Sequence, residues 1–272
     1  MKTNLKGLLP PLCSKWYRNY LYQKGIKNGT LAAITGDYTS FEEAAQDSGT
    51  YDDELYAEKV LQTYRDVHGK QSWPMETHDW RLLSKVSLGM GQEGGLRVLD
   101  IGGSSGDYFF KLKSFLGKEA IKSWIIVEAK KVVDKMRGID PFLKYVSSMD
   151  DIDRENLDIN FVFISGTLQY LEKPFQILES LIPLRADFIC INKSILWDRP
   201  TKIMKQITPD AMRSSRPIWI FNEAAIKDKL STLSYRLLWA YDNSELVTYI
   251  PGCGSLVYRG LFFRRNEKVD SK

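Results

Sequence analysis

The chain has 272 residues, and its 38 basic and 34 acidic side chains give a formal net charge of +4. This basic excess is too weak to predict nucleic-acid binding, which needs basic residues concentrated on one face, but it suits an acidic substrate or contact with anionic lipid. With 43% hydrophobic and 26% charged residues, the composition is typical of a globular protein with one α/β domain and an elaboration.

Three cysteines, Cys13, Cys190 and Cys253, lie far apart and form no C-x-x-C pair. Such a sparse, odd set indicates a reducing compartment and argues against a disulfide framework or structural zinc. The apolar run near the start is short and interrupted by Pro10 and Pro11, unlike a signal peptide, and no stretch approaches roughly 18 uninterrupted apolar residues. We therefore expect a cytoplasmic protein, and we predict no metal cofactor.

Residues 1–89 are predicted to form an N-terminal helical cap on the substrate side. Residues 1–35 are basic and aromatic, which indicates a helix that either packs against the main domain or lies peripherally on the inner membrane. Residues 36–62 predict two helices, the first with a Thr-Ser pair ahead of two glutamates as N-cap and first-turn acids. The glycine-rich stretch 89–95 predicts a linker.

Residues 90–272 are predicted to form an α/β domain. The apolar segments LRVLDI, SWIIVEA, FLKYV, INFVFIS and ADFICIN alternate with helical patterns, which is typical of parallel strands covered on both faces. SYRLLWAY and SLVYRGLFFRR then predict a final antiparallel pair. The expected fold is a Rossmann-like, seven-stranded, mostly parallel sheet whose last strand is antiparallel.

An insertion at about 193–225 is long for an α/β connection and mixes basic with aromatic residues. One interpretation is a lid over a bound substrate, in which Arg213 and Arg216 bind a phosphate or carboxylate of that substrate. The other is a solvated insertion with a small core of its own.

The stretch VLDIGGSSGDYFF, residues 98–110, predicts a ligand site: a strand ends in an acid, a glycine-rich turn follows, and a helix begins. Ligands of open α/β sheets bind at the carboxyl ends of the strands. The dinucleotide pattern G-x-G-x-x-G would need glycine at Ser104 and Asp107, which disfavours a nicotinamide-dependent oxidoreductase. The pattern D-x-G-x-x-x-G is met by Asp100, Gly102 and Gly106, with Gly103 added.

That pattern resembles motif I of the class I S-adenosylmethionine-dependent methyltransferases. The resemblance implies that Glu128, at the end of the second strand, binds the ribose hydroxyls of S-adenosylmethionine. It also implies that Met149 covers the adenine, that Asp150 accepts from its amino group, and that Ser165 lines the methyl-transfer site. The alternatives are a purely structural turn, a solvated strand end at Glu128 and a helix cap at Asp150.

Methyl transfer mainly needs alignment of the acceptor with the methyl group, and an oxygen acceptor also needs a base. The chain has two histidines, and His78, which neighbours Asp79, is predicted as the base; the alternative is a surface histidine. Gln169 is predicted to position the acceptor, or else to cap the next helix.

The sequence also resembles a family of methyltransferases associated with bacterial lipopolysaccharide and surface-polysaccharide loci. The resemblance rests on GDYTSFEEA, on WRLL, on the glycine turn and on the closing YRGLFFRR. It implies O-methylation of a sugar, nucleotide sugar or glycan precursor in lipopolysaccharide biosynthesis. A small-molecule methyltransferase of secondary metabolism and a non-catalytic scaffold that binds S-adenosylmethionine are the alternatives.

Overall fold

The computed structural model describes residues 20, 24–25, 33–49, 51–68, 79, 95–152, 158–208, 215–250 and 253–266. Most of residues 1–35, for which the sequence predicts a packed or membrane-surface helix, falls outside these ranges. In the part of the chain that the structure describes, no helix is both long and apolar enough to cross a membrane.

The N-terminal segment contains a strand and two helices, namely β1 (Ala33–Tyr38), α1 (Phe41–Gln46) and α2 (Glu54–His68). Ser40 caps α1, because its Oγ accepts the N–H of Glu43 at 3.1 Å. Asp53 Oδ1 likewise accepts the N–H of Tyr56 at 2.6 Å at the start of α2. Both helices predicted between residues 36 and 62 are therefore found, whereas the sequence analysis does not predict β1.

Within the described residues, ten strands form one sheet. The strands after β1 are β2 (Leu96–Ile101), β3 (Ile121–Val127), β4 (Leu143–Val146), β5 (Phe161–Ser165), β6 (Phe188–Trp197), β7 (Lys202–Ile207), β8 (Ser215–Asn222), β9 (Tyr235–Ile250) and β10 (Gly254–Arg265). Seven of them lie in the order β4-β3-β2-β5-β6-β10-β9, with parallel pairing from β4 to β6 and with β10 antiparallel to β6 and β9. The predicted α/β fold, with its antiparallel last strand, is confirmed.

Helices cover both faces of this seven-stranded part, namely α3 (Asp107–Leu116), α4 (Lys130–Met136), α5 (Pro174–Ser180) and α6 (Glu223–Thr232). Successive side chains of a strand point to opposite faces, so Val98 packs with the layer of α2, α3 and α4, and Leu99 packs with the layer of α5 and α6. Both residues are fully buried. This double burial is why the central strands are continuously apolar.

The remaining strands, β1, β7 and β8, form an antiparallel ribbon at the carboxyl end of β6, where residues 196–197 pair with residues 221–222 of β8. The insertion at 193–225 therefore folds with the N-terminal segment. Ion pairs from Asp37 to Lys202 and from Asp47 to Lys205 join the two parts. The ribbon has its own apolar core, which includes Ile34, and it places the N-terminal segment beside the carboxyl ends of the parallel strands.

Candidate functional site

A cleft of about 790 Å³ opens where β2, β3 and β5 end. Its walls are the glycine turn after β2, the end of β3, a short 3₁₀ turn at residues 149–151 and the loop after β5. Tyr51 and Tyr56 of the N-terminal segment also line it. Its size lies in the range of roughly 300–1,000 Å³ that is usual for small-molecule sites.

The glycine turn needs glycine at Gly102 for two reasons. Its φ of +71° is left-handed, and a Cβ there would lie 2.2 Å from Oγ1 of Thr167. Its N–H donates to the carbonyl of Val127 at 2.8 Å, which fixes the turn to the end of β3. Gly106, also left-handed, begins α3 as its N-cap. Gly102 lines the cleft, whereas Gly106 contacts Leu143 behind it.

Asp100 and Gly103 lie beneath the turn. The carboxyl of Asp100 is buried and accepts the indole N–H of Trp124 at 3.2 Å. A Cβ on Gly103 would lie 2.5 Å from this carboxyl, so the acid and the glycine pack against each other. Asp100, Gly103 and Gly106 therefore shape the glycine turn from behind. They do not line the cleft, unlike the cofactor contacts predicted for them.

Burial raises the pKa of Asp100 from its ordinary value of 3.8 to about 8. The folded protein thus keeps a proton that the unfolded chain loses between these values, and the free energy of unfolding should fall as pH rises from about 4 to about 8. We expect Asp100→Asn, which is uncharged at every pH, to flatten this fall. Urea unfolding at pH 5, 6.5 and 8 measures it. An identical pH slope in variant and wild type would contradict this assignment.

Glu128 follows β3 and forms one side of the cleft. Its carboxylate accepts the N–H of Ala129 at 2.7 Å, and it also bonds the backbone N–H of Ser104 and the hydroxyl of Tyr56. Burial raises its pKa, while these hydrogen bonds act in the opposite direction. Glu128 therefore stands between the glycine turn and the first turn of α2.

Met149 and Asp150 lie in the 3₁₀ turn after β4, and both line the cleft. Ser148 caps this turn: its Oγ accepts the N–H of Asp150 at 3.1 Å, and its own N–H donates to Asp151 at 3.0 Å. Met149 is buried and presents apolar surface, whereas Asp150 is exposed. An apolar side chain and a carboxylate thus stand together at this end of the cleft.

Ser165 ends β5 and lines the cleft. The side chain of Asn192 donates to its Oγ at 3.2 Å, and Asn192 Oδ1 accepts the hydroxyl of Tyr241 at 3.0 Å and the amide of Asn243 at 3.2 Å. Asn192 and Asn243 are fully buried. A buried polar network therefore fixes the position of Ser165 from below the cleft.

Of the two predicted catalytic residues, only Gln169 is described, and it does not line the cleft. Gln169 is buried in the 3₁₀ turn at residues 168–170 and donates to the carbonyl of Lys193 at 3.0 Å, so it holds this turn behind Tyr170. His78 lies outside the described residues, as does Arg213. Asp79, the predicted partner of His78, is buried and pairs with Lys111 at 2.6 Å.

Three tyrosines form a wall that the sequence analysis does not predict. The ring of Tyr51 packs edge-on against Tyr56 and Tyr170, with centroids 4.8 and 5.0 Å away. The guanidinium of Arg216 lies 3.9 Å from the centroid of the Tyr51 ring. The sequence offers only a slight signal for this wall, namely Tyr51 and Tyr56 on either side of the start of a predicted helix. Only the ribbon brings them to Tyr170.

No protein-family model and no curated protein matches this sequence. Solved structures do match. The 1,6-didemethyltoxoflavin-N1-methyltransferase of Burkholderia thailandensis, bound to its substrate and S-adenosylhomocysteine, is 14% identical with a TM-score of 0.52, covering 86% of this chain and 94% of that chain.

Two other matches have lower TM-scores. The CcbJ methyltransferase of Streptomyces caelestis is 13% identical, with a TM-score of 0.48, and the match covers 79% of this chain and all of that chain. The [4+2]-cyclase SpnF is 14% identical, with a TM-score of 0.45, and the match covers 86% of this chain and 98% of that chain. The sheet order and the first of these three structures agree: the chain has a Rossmann-like fold similar to that of this methyltransferase.

Proposed function

We propose that this protein is an S-adenosylmethionine-dependent methyltransferase that acts on a small-molecule acceptor. The observation that carries the proposal is the cleft, whose lining includes Gly102, Glu128, Met149, Asp150 and Ser165, five of the residues predicted to bind the cofactor. A fold alone does not determine an activity, so the argument rests on these side chains.

The chemistry of the cleft fits S-adenosylmethionine. The Glu128 carboxylate suits a pair of ribose hydroxyls, and Met149 with Asp150 suits an adenine ring and its amino group. Gly102 leaves the backbone open to close approach. The cofactor is cationic and has no phosphate, and the cleft carries two carboxylates, Glu128 and Asp150. A diphosphate would instead meet the acidic Asp107 in the first turn of α3, the helix N-terminus at which dinucleotide folds hold their phosphates.

When bound, S-adenosylmethionine supplies a methyl group on a positively charged sulfur. Gly102, Glu128, Met149 and Asp150 would hold it, and its methyl group would pass to an acceptor oxygen or nitrogen, leaving a neutral thioether, while the acceptor would lose its proton. The tyrosines at the cleft contribute by orientation. Burial raises the pKa of Tyr51, Tyr56 and Tyr170, so their hydroxyls stay neutral and do not act as bases at neutral pH. His78 remains the predicted base.

The similar methyltransferase from Burkholderia thailandensis binds a small heterocyclic compound, which supports a small acceptor. O-methylation of a sugar, nucleotide sugar or surface-glycan precursor remains a second prediction, and only the sequence resemblance supports it. Release of S-adenosylhomocysteine from S-adenosylmethionine, assayed with nucleotide sugars and with small heterocycles, separates the two. Cofactor binding without turnover on either set would favour the scaffold alternative.

In this proposal the parts predicted at residues 1–89 and 193–225 form the acceptor side, and the remainder of 90–272 binds the cofactor. Membrane contact through residues 1–35 falls mostly outside the described residues and stays a prediction.

Calorimetric titration with S-adenosylhomocysteine tests the proposed function. We expect saturable heat at one site per chain, and no heat with NADH, because Ser104 and Asp107 stand where the dinucleotide pattern has glycine and Asp107 is acidic. Mass spectrometry of the purified protein for copurified S-adenosylmethionine or S-adenosylhomocysteine gives independent evidence. Binding of NADH without binding of S-adenosylhomocysteine would refute the proposal.

A further inference from the structure

A second cavity, of about 440 Å³, adjoins the cofactor cleft. Tyr51 and Tyr170 line both spaces, one ring edge-on to the other at 5.0 Å. The two tyrosines are therefore a shared wall between the cofactor cleft and the second cavity. The other residues around the second cavity include Phe41, Glu42, Glu172 and Arg216.

The second cavity is lined by the segment that leads into α2, by β8 of the ribbon and by the segment after β5. Phe41 comes from α1 and stacks on Trp219 of β8 with centroids 6.0 Å apart. Tyr170 donates its hydroxyl to Gln206 of β7 at 2.7 Å. The two spaces share Tyr51 and Tyr170, and the second cavity differs from the cofactor cleft in being lined also by α1 and β8.

The charged side chains around the second cavity differ in their exposure to solvent. The side chain of Arg216 is only 4% exposed, whereas Glu172 is 66% exposed and Glu42 is exposed. Water and salt screen the two exposed carboxylates far more than the buried guanidinium. Arg216 forms an ion pair with Asp53, whose carboxylate is 3.6 Å away and 41% exposed. It also contacts Tyr51, whose ring centroid lies 3.9 Å from the guanidinium and whose hydroxyl accepts a hydrogen bond from it.

We propose that the second cavity holds the methyl acceptor, and that Arg216 selects an acceptor with a carboxylate on a planar ring. The inference rests on the proposed methyltransferase function and deepens it. The aromatic walls at Phe41, Tyr51 and Tyr170 suit a flat ring. The planar fork of a guanidinium matches a carboxylate, and burial strengthens that contact. The acceptor then meets the methyl group beside Tyr51 and Tyr170, where the two spaces adjoin.

Three probes that share a para-hydroxyphenyl ring test whether the cavity prefers a carboxylate. They are para-hydroxybenzoate, para-hydroxybenzamide and para-hydroxybenzylamine, which are anionic, neutral and cationic at pH 7. Their binding is measured by calorimetry on the full chain, with and without saturating S-adenosylhomocysteine. We expect the benzoate to bind at least about tenfold more tightly than the amide, as for a charge-assisted contact. Equal binding of benzoate and amide, preference for the amine, or no benzoate binding at millimolar concentration would each overturn the proposal.

Variants assign the preference to Arg216. We expect Arg216→Gln to remove the benzoate preference and leave the affinity for S-adenosylhomocysteine within about twofold. Arg236→Gln, an exposed arginine of β9, is the control for loss of one positive charge and should keep the preference. Arg216→Gln replaces a buried strand residue and could disturb folding, so Asp53→Asn is a second, milder test. This variant keeps the side-chain oxygen that caps α2 and removes the negative charge that competes for Arg216. It should tighten benzoate binding several-fold.

The results separate the two proposals. Failure of S-adenosylhomocysteine to bind refutes the proposed function, whatever the probes do. Normal S-adenosylhomocysteine binding, with a benzoate preference that is unchanged in Arg216→Gln and in Asp53→Asn, leaves the proposed function intact and refutes the role of Arg216.

Discussion

Replacing Gly102 with alanine is expected to abolish measurable S-adenosylhomocysteine binding and to lower the free energy of unfolding by about 2–5 kcal/mol. Left-handed backbone costs a non-glycine residue roughly 1–2 kcal/mol. The new Cβ would also lie 2.2 Å from Oγ1 of Thr167, and forced overpacking costs a further 1–3 kcal/mol or so. Relief of that clash moves either the turn or the β5 loop, and both line the cleft. Calorimetry and urea unfolding measure the two effects.

Gly138→Ala is the matched control for this prediction. Gly138 has a φ of +74°, close to the +71° of Gly102, but a Cβ there meets no atom within 4 Å. It should therefore lose about 1–2 kcal/mol of stability from backbone strain and keep normal S-adenosylhomocysteine affinity. If both variants bind equally well, the contact between Gly102 and Thr167 does not shape the cleft.

Glu128→Gln is expected to weaken S-adenosylhomocysteine binding by about 10- to 100-fold, in line with roughly 1.5–3 kcal/mol for hydrogen bonds to a charged group. A carboxylate accepts from two hydroxyls at once, whereas an amide offers one acceptor. Glu119→Gln, at an exposed site before β3, should bind normally. An unchanged affinity in Glu128→Gln would remove this residue from the cofactor site.

Glu128→Gln should weaken binding, yet it should not lower the stability of the fold. Burial raises the pKa of Glu128, which means that the protein is penalised for holding the charge, so thermal unfolding of Glu128→Gln should occur at an equal or higher temperature than that of the wild type. Weak binding together with retained stability distinguishes loss of a ligand contact from misfolding. Binding by the wild type should weaken as pH is lowered through the pKa of Glu128, because the carboxylate loses its charge.

The parts of the molecule that the sequence predicts are those set by local pattern. Gly102 and Glu128 each stand directly after a buried strand, and parallel strands bring their carboxyl ends to one edge of the sheet. These residues are therefore neighbours at that edge, although they follow the strand order β4-β3-β2-β5 and not the order of the chain. The same reasoning could not show that Asp100 faces away from the cleft, because it precedes the turn and its direction depends on packing with Trp124.

The second cavity could not be predicted, because it depends on pairing between distant segments. Asp47 and Lys205 are 158 residues apart, yet they form an ion pair, and β1 has no sequence signal that names β7 as its partner. Gln169 shows the same limit: it sits at the expected end of β5, but its 3₁₀ turn directs Tyr170, and not Gln169, to the cleft.

The pairing of β1 with β7 has a consequence for how this protein is divided and how it evolves. A chain that began at residue 90 would contain every residue that lines the cofactor cleft except Tyr51 and Tyr56. It would leave β7 as an open sheet edge, which favours aggregation. The second cavity is enclosed jointly by the segment before α2 and by the insertion. A change of acceptor preference would therefore need substitutions in two distant parts of the sequence.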